Sequence, residues 1–292
     1  MTVKFYLGSS PSMALKLGQL ADGVMISINT LEFRKSDFKV EDWILDSGAF
    51  TRISSGKGHL GLDVYAHLAK RWAKCGNLLA VVSQDYMCEP FIIKKTGLCV
   101  LKHQQMTTAN YVALAEQLPN TYVMPVLQGW RVADYLNHLK MYDTHLQPQA
   151  WVGLGSVCKR NSTPLDILDI LTAIKALRPD LRLHGFGLKQ LALTNPSIRE
   201  LLFSVDSFAY SYPKRFKKSK KLSDTQLAAN YMQKVDAILQ GNNSKQIPPT
   251  AGAGNGQGRK PKWRSKTKAI RVPEKYVNDL LKLARQWEQS GR

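Results

Sequence analysis

The sequence predicts an α/β fold, specifically a (β/α)8 TIM-like barrel followed by a flexible linker and a small basic C-terminal appendage. Short apolar segments rich in β-branched residues alternate with helix-length segments, which is the pattern of parallel βα units. Eight such segments fall within the first 240 residues, as a closed barrel requires. An open doubly wound sheet is the alternative, although no Gly-x-Gly-x-x-Gly turn follows the first strand.

Hydrophobic periodicity places the individual elements. The predicted strands cover residues 3–7, 24–28, 43–46, 79–82, 122–127, 151–154, 181–185 and 202–205. Apolar residues at helical spacing predict helices over 12–20, 62–74, 104–118, 132–142, 164–177 and 225–239. Pro119-Asn120 ends the third helix, and Pro164 occupies an allowed first-turn position of the fifth.

Composition indicates the partner and the compartment. Lysine and arginine number 41 against 22 acidic residues, a net charge of +19, which favours a polyanionic partner such as nucleic acid or an anionic membrane surface. No apolar run approaches the roughly 20 residues that span a membrane, and the N-terminus lacks a signal-peptide pattern. Four scattered cysteines without a Cys-x-x-Cys pair predict reduced thiols in a cytoplasmic protein and no metal site.

The composition changes after residue 240 and divides the chain into three parts. Residues 1–240 form the predicted barrel, and the glycine- and proline-rich residues 241–258 form a flexible linker. Residues 259–292 form a basic tail with a short strand and an amphipathic helix. An extended basic segment with proline is typical of a minor-groove hook, and its cations are Arg259, Lys260, Lys262 and Arg264. The alternative is that the last helix packs on the barrel or on another subunit.

Aspartates follow three predicted strands and are the candidate catalytic groups. Asp46, Asp85 and Asp206 end strands three, four and eight, and the carboxyl ends of barrel strands meet at one face. One carboxylate can attack an anomeric carbon, and a second can transfer a proton. Ser47 and Gly48 follow Asp46, where a glycine permits a tight turn beside a ligand. The alternative is that these aspartates cap the following helices.

An amide, a histidine and several glycines follow other strand ends. Such groups suit recognition of a flat, hydrogen-bonding heterocycle: Gln128, Gly129, Gly153, Gly155, His184 and Gly185. Equally, the glycines can serve tight turns and a lone histidine can be structural. Aromatic neighbours of the strand ends are candidates for base stacking or for ordinary packing: Phe50, Tyr86, Trp130, Phe208 and Tyr210.

A dense basic loop follows strand eight directly. In a barrel this position is the rim beside Asp206, where cations can hold a phosphate backbone electrostatically. The alternative is that these charged side chains only form a solvated surface. The cations of this loop are Lys214, Arg215, Lys217, Lys218, Lys220 and Lys221.

Taken together, the strand ends resemble the tRNA-guanine transglycosylase superfamily, and most closely its DpdA-like branch, which acts on DNA. The resemblance rests on six short segments in this order along the chain: 45–50, 83–85, 126–129, 152–155, 184–187 and 205–208. The resemblance implies exchange of a guanine in nucleic acid for a free 7-deazaguanine base, without a cofactor. It also implies that Asp46 is the general acid/base and that Asp85, Gln128 and the Gly153–Gly155 run read the base.

Two departures from the tRNA enzymes bear on the substrate and the nucleophile. Those enzymes carry Asp-x-Phe-Asp at strand eight and use the second aspartate, whereas this chain has Asp206-Ser207-Phe208-Ala209. We expect Asp206 to take over that role. The zinc-site cysteines of the tRNA enzymes are also missing, and the basic tail favours DNA over tRNA. The alternatives are a tRNA transglycosylase and a non-catalytic nucleic-acid-binding accessory subunit.

Overall fold

The computed structural model describes residues 2–142, 144–160, 163–215 and 222–241, the side chains of 214 and 215 excepted. The predicted tail (259–292) and the predicted linker beyond Gly241 lie outside these ranges. The two parts therefore remain predictions.

Parallel strands form a nearly closed barrel with helices around it, which confirms the predicted fold class. The order around the sheet is β5-β4-β3-β2-β1-β9-β8-β7-β6, and every pairing is parallel. The strands are β1 (Lys4–Ser9), β2 (Val24–Ser27), β3 (Asp42–Asp46), β4 (Asn77–Val82), β5 (Val123–Met124), β6 (Val126–Leu127), β7 (Trp151–Leu154), β8 (Arg182–Gly185) and β9 (Ser204–Ser207).

Pro125 explains why nine strand segments stand where eight strands were predicted. Proline lacks the backbone N–H that a central strand needs, so it splits the fifth predicted strand into β5 and β6. β5 pairs with β4, β6 pairs with β7, and the Pro125 carbonyl accepts a hydrogen bond from Gly153 N at 2.8 Å. The two edges of the sheet are therefore halves of one strand, and the barrel closes through it.

The helices lie in the connections between the strands, and four of them were not predicted. They are α1 (Ala14–Gly18), α2 (Ala49–Ser55), α3 (Leu62–Trp72), α4 (Pro90–Thr96), α5 (Val100–Gln117), α6 (Val132–Met141), α7 (Pro164–Leu177), α8 (Gln190–Leu193), α9 (Pro196–Leu201) and α10 (Asp224–Leu239). The four are α2, α4, α8 and α9, and of these α2 and α4 lie in the connections after β3 and β4. In the described ranges, no helix is both long and apolar enough to cross a membrane.

Strand alternation divides the interior into a lumen and an outer shell. Side chains two residues apart on one strand share a face, and one set packs inside the barrel: Tyr6, Met25, Ile44, Ala80, Val82, Met124, Val126 and Trp151. The larger shell cluster packs between strands and helices. Asp46 continues the alternation of Ile44, and Asp206 that of Ser204, so both carboxylates point to the lumen at its C-terminal mouth.

Candidate active site

The loop after β3 presents Asp46 through a turn that only glycine fits. Gly48 has φ 67°, the left-handed region, and a Cβ there would lie 2.3 Å from Asn29 Nδ2. Asn29 Nδ2 donates to Gly48 O at 3.1 Å, and Gly48 N donates to Asp46 Oδ2 at 3.1 Å. Arg52 pairs with Glu32 at 2.9 Å and reaches Asn29 Oδ1 at 3.4 Å. This chain of contacts fixes the backbone that carries Asp46.

The environment of Asp46 raises its pKa toward neutrality, so that a larger fraction of this carboxyl is protonated than of an ordinary aspartate. Burial raises its pKa to about 6, and the nearby Asp206 carboxylate adds to the rise. Hydrogen bonds from Gly48, Ser27 and Ser47 act in the opposite direction but do not cancel it. Asp46 is therefore suited to give and take a proton at physiological pH.

Asp85, Gln128 and Ser47 form a buried hydrogen-bonded cluster at the mouth. Ser47 Oγ donates to Asp85 Oδ1 at 3.3 Å, and Gln128 Nε2 donates to Asp85 Oδ2. Gln128 is fully buried and Asp85 is 8% exposed. Burial raises the pKa of Asp85 to about 7; the Gln128 hydrogen bond opposes this rise, and the Asp46 carboxylate adds to it.

Ser156 and Gly155 set the orientation of the Gln128 amide. Ser156 Oγ donates to Gln128 Oε1 at 2.8 Å and accepts from Cys88 N at 3.0 Å. A Cβ on Gly155 would lie 1.9 Å from Gln128 Nε2, so the amide occupies the space that this glycine leaves. Ser156 itself has φ 59°, a costly conformation for a residue other than glycine. Because Ser156 donates to the oxygen, the NH2 group must face Asp85.

The backbone of Gln128 is held from the helix side. Its N–H donates to His138 Nδ1 at 2.8 Å, and its carbonyl accepts from Gln104 Nε2 at 2.7 Å. His138 and Gln104 are themselves buried, on α6 and α5. The strand end that carries the amide is therefore tied to the two neighbouring helices.

Asp206 is held by two N–H donors on one of its oxygens. Gly187 N donates to Asp206 Oδ1 at 2.9 Å, and His184 Nε2 lies 3.3 Å from the same atom. His184 is fully buried and its Nδ1 lies 2.9 Å from Ser204 Oγ, which accepts from Trp151 Nε1 at 2.7 Å. Because an ionised carboxylate can only accept, Nε2 carries the proton and the Ser204 hydroxyl donates to Nδ1.

The remaining predicted glycines leave space that neighbouring side chains occupy. A Cβ on Gly153 would meet the Phe186 ring at 2.3 Å, whereas Gly129 packs against Asp134 and Tyr135 at the start of α6. Gly185 faces Leu188 and Leu202 in the outer shell. Their substrate contacts remain predictions.

The predicted stacking aromatics divide into exposed and packed groups. Phe50 and Phe208 are exposed on the rim. Trp130 is partly buried against the Arg160 guanidinium, 4.2 Å from its ring centroid. Tyr210 is buried and donates to Gly8 O at 3.0 Å, and Tyr86 packs against His59 and His103.

Most predicted nucleic-acid contacts lie beyond the residues that the structure describes. Lys214 and Arg215 end the 3-10 helix Ala209–Arg215, with their side chains undescribed. The others outside the described residues are Lys217, Lys218, Lys220, Lys221, Arg259, Lys260, Lys262 and Arg264. Among the described residues, no three His, Cys, Asp or Glu side chains converge in a metal-binding group.

Several site residues escaped sequence reasoning. Ser204 could have been predicted, because alternate residues of a strand share a face and Ser204 stands two residues before Asp206. Ser156 carried the signal of a polar residue just after a strand end, as Ser47 did, whereas Asn29 carried none, since it acts through a contact with a distant loop. Glu89 also escaped: it is 1% exposed between Cys88 and the start of α4, and burial raises its pKa.

The fold and the site define an α/β-barrel protein whose mouth presents paired carboxylates, a group suited to glycosyl transfer. The family model described as DpdA, DeoxyPurine in DNA protein A, matches residues 1–234. The chain therefore belongs to the DpdA family, and this membership indicates a transglycosylase that acts on DNA. No curated protein sequence matches the chain significantly.

The raised pKa of Asp85 predicts how stability depends on pH. The ordinary pKa is 3.8 and the folded value is about 7, so between these values the folded chain keeps a proton that the unfolded chain releases. The contribution of Asp85 to the stability of the native protein must therefore fall as pH rises from about 4 to 7. Asp85→Asn removes this loss, and its stability advantage should grow over that range to at most ~4 kcal/mol, at ~1.4 kcal/mol per pKa unit.

Urea unfolding of both proteins at several pH values measures this difference. The amide introduced by Asp85→Asn can accept from Gln128 and donate to Ser47 Oγ, so the cluster stays paired. An exposed control, Asp169→Asn, should stay within about 0.5 kcal/mol of the native protein. An Asp85→Asn advantage that does not change with pH would contradict the buried, proton-binding state of Asp85.

Proposed function

We propose that this protein exchanges guanine in DNA for a free 7-deazaguanine base, such as 7-cyano-7-deazaguanine, through a covalent glycosyl intermediate on Asp206. One observation carries the proposal: two carboxylates share the barrel mouth in unlike environments. Asp206 accepts two N–H donors on one oxygen, while Asp46 has its pKa raised to about 6. A nucleophile and a proton donor need this division of roles.

The first half of the reaction removes guanine. The target nucleotide leaves the base stack to reach the mouth. The Asp206 carboxylate forms a bond to C1′ while the C1′–N9 bond breaks and its electron pair leaves with the guanine. Asp46 gives its proton to that base. Because Gly187 and His184 both hold Oδ1, the other oxygen of Asp206 is the attacking atom in this scheme.

The second half installs the new base. The free 7-deazaguanine attacks C1′ with N9, the bond between C1′ and Asp206 breaks, and Asp46 takes the proton that N9 loses. Asp46 thus returns to its protonated state after each exchange, and Asp206 returns to a carboxylate. The protons that Asp46 gives and takes therefore balance over the two half-reactions, and no step needs a metal or a redox cofactor.

The buried cluster supplies the base-reading groups. Asp85 presents carboxylate oxygens, and Ser156 fixes the Gln128 amide with its nitrogen toward Asp85. Donors and acceptors held in fixed positions suit a guanine-like edge, because a site built for such hydrogen bonds rejects bases that cannot make them. DNA, with tRNA as the weaker alternative, and the free base are the proposed partners, and the cytoplasm is the proposed location.

The proposed exchange predicts incorporation of a labelled base. Wild-type protein incubated with DNA and labelled 7-cyano-7-deazaguanine should place label in the DNA, and Asp206→Ala should lose this by about 10⁴-fold or more, because no covalent intermediate can form. Asp169→Asn serves as the matched carboxylate control and should retain activity. Label in tRNA but not in DNA would favour the tRNA alternative. No label with wild type, or full label with Asp206→Ala, would refute the proposed reaction.

The Ser156 hydroxyl predicts a separate effect on recognition of the free base. Ser156→Ala and Ser156→Gly both remove the donor that holds Gln128 Oε1, so the amide keeps its hydrogen bond to Asp85 but loses the one that fixes its oxygen. Both should raise KM for the base about tenfold, the cost of about one lost buried hydrogen bond. The glycine variant relieves the positive φ and should be the more stable of the two. An unchanged KM for the base in both variants would show that this hydroxyl does not set recognition.

A further inference from the structure

Three βα connections bring two phenylalanines and a lysine together on the rim of the mouth. Phe50 is the second residue of α2, Phe91 is the second residue of α4, and Lys159 lies in the 3-10 helix Cys158–Arg160. The Phe50 and Phe91 ring centroids are 6.4 Å apart in an edge-to-face arrangement. Lys159 Nζ lies 4.5 Å from the Phe50 centroid and 6.0 Å from that of Phe91. We call these three residues the rim platform.

The rim platform is exposed rather than part of the core. Phe50 is 39% and Phe91 48% exposed, and Lys159 is exposed as well. Single exposed aromatics are ordinary, but adjacent ones mark a surface that contacts something. The buried residues of α2 and α4, Ile53 and Ile92, already supply the packing that joins these helices.

The rim platform lies next to the reacting groups along the chain. Phe50 lies four residues after Asp46, and Lys159 lies three residues after Ser156, which follows the end of β7. Phe91 follows Asp85 on the connection after β4. Each member therefore sits on a βα connection whose first residues belong to the site, so a DNA strand that places one nucleotide in the mouth passes close to it.

The charge and the aromatic rings of the rim platform indicate which kind of ligand it binds. The chain carries a net charge of +19, and Lys94 adds a further exposed cation on α4. Aromatic faces beside a cation fit a polymer that alternates flat bases with phosphates, because every base can stack and every phosphate can pair. An apolar peptide would leave the lysine without a partner, which favours a single nucleic-acid strand.

We propose that the rim platform binds a nucleotide adjacent to the target guanosine on the same DNA strand, stacking its base on Phe91 and contacting its phosphate through Lys159, while the Phe50 ring packs edge-to-face against Phe91. This inference rests on the proposed function, because the flipped nucleotide defines the strand. It adds a binding site for the flanking, unstacked part of the substrate.

Equilibrium binding of the full chain to a fluorescein-labelled single-stranded guanine-containing oligonucleotide, measured across salt concentrations, tests this site. Phe91→Leu keeps an apolar side chain but loses the π face, and should raise Kd at least about fivefold at every salt concentration. Phe91→Trp should bind at least as tightly as wild type. Lys159→Gln should reduce the slope of log K against log salt by about 0.7, the value for one phosphate contact on a single strand.

Two controls lie at the opposite end of the barrel. Leu177 ends α7 and is 54% exposed, and Lys74 is exposed in the 3-10 helix that precedes β4. Leu177→Ala should leave Kd unchanged, and Lys74→Gln should leave the salt slope unchanged.

The outcomes separate the site from the reaction. Wild-type base exchange with native Kd and salt slope in Phe91→Leu and Lys159→Gln would overturn the rim platform and leave the proposed function standing. Tighter binding of an RNA oligonucleotide than of DNA at the rim platform would overturn the assignment to DNA. Absence of both binding and exchange in wild type would overturn the two proposals together.

Discussion

The structure depends on two carboxylates that must share one barrel mouth without both carrying an uncompensated charge. Asp206 receives N–H donors from Gly187 and His184, whereas the pKa of Asp46 rises to about 6 because of burial and of Asp206 itself. Bringing like charges together is costly unless one of them holds a proton. The surrounding network divides the roles, and we propose Asp206 as the nucleophile and Asp46 as the proton carrier.

Packing inside the barrel and hydrogen bonds around its mouth hold the site residues in place. The lumen packs Tyr6 and Trp151 under the mouth, and Trp151 also donates to Ser204, which continues to His184 and Asp206. On the other side, Gln128 is fixed by Ser156, whose left-handed backbone is a strained conformation. Hydrogen bonds therefore link the interior of the barrel to Asp206 on one side of the mouth and hold Gln128 on the other.

The sequence predicts much of this fold because its signals are local. Alternating segments predicted the barrel, and polar residues at strand ends predicted Asp46, Asp85, Gln128 and Asp206 at one face. Helices α2, α4, α8 and α9 were missed because each has seven residues or fewer, too short for a clear helical period. The split at Pro125 and the contacts of Ser156 depend on pairing between distant segments, which periodicity along one segment does not contain. The roles of the individual residues rest on family resemblance and remain predictions.

The most direct test of the central claim is capture of the covalent intermediate. Wild-type protein is incubated with guanine-containing DNA in the absence of free base, denatured and digested, and the DNA-linked peptide is identified by mass spectrometry. We predict a deoxyribosyl ester on Asp206 that disappears when 7-cyano-7-deazaguanine is added before denaturation. An adduct on Asp46 or Asp85, or exchange that proceeds with no adduct in Asp206→Ala, would contradict it.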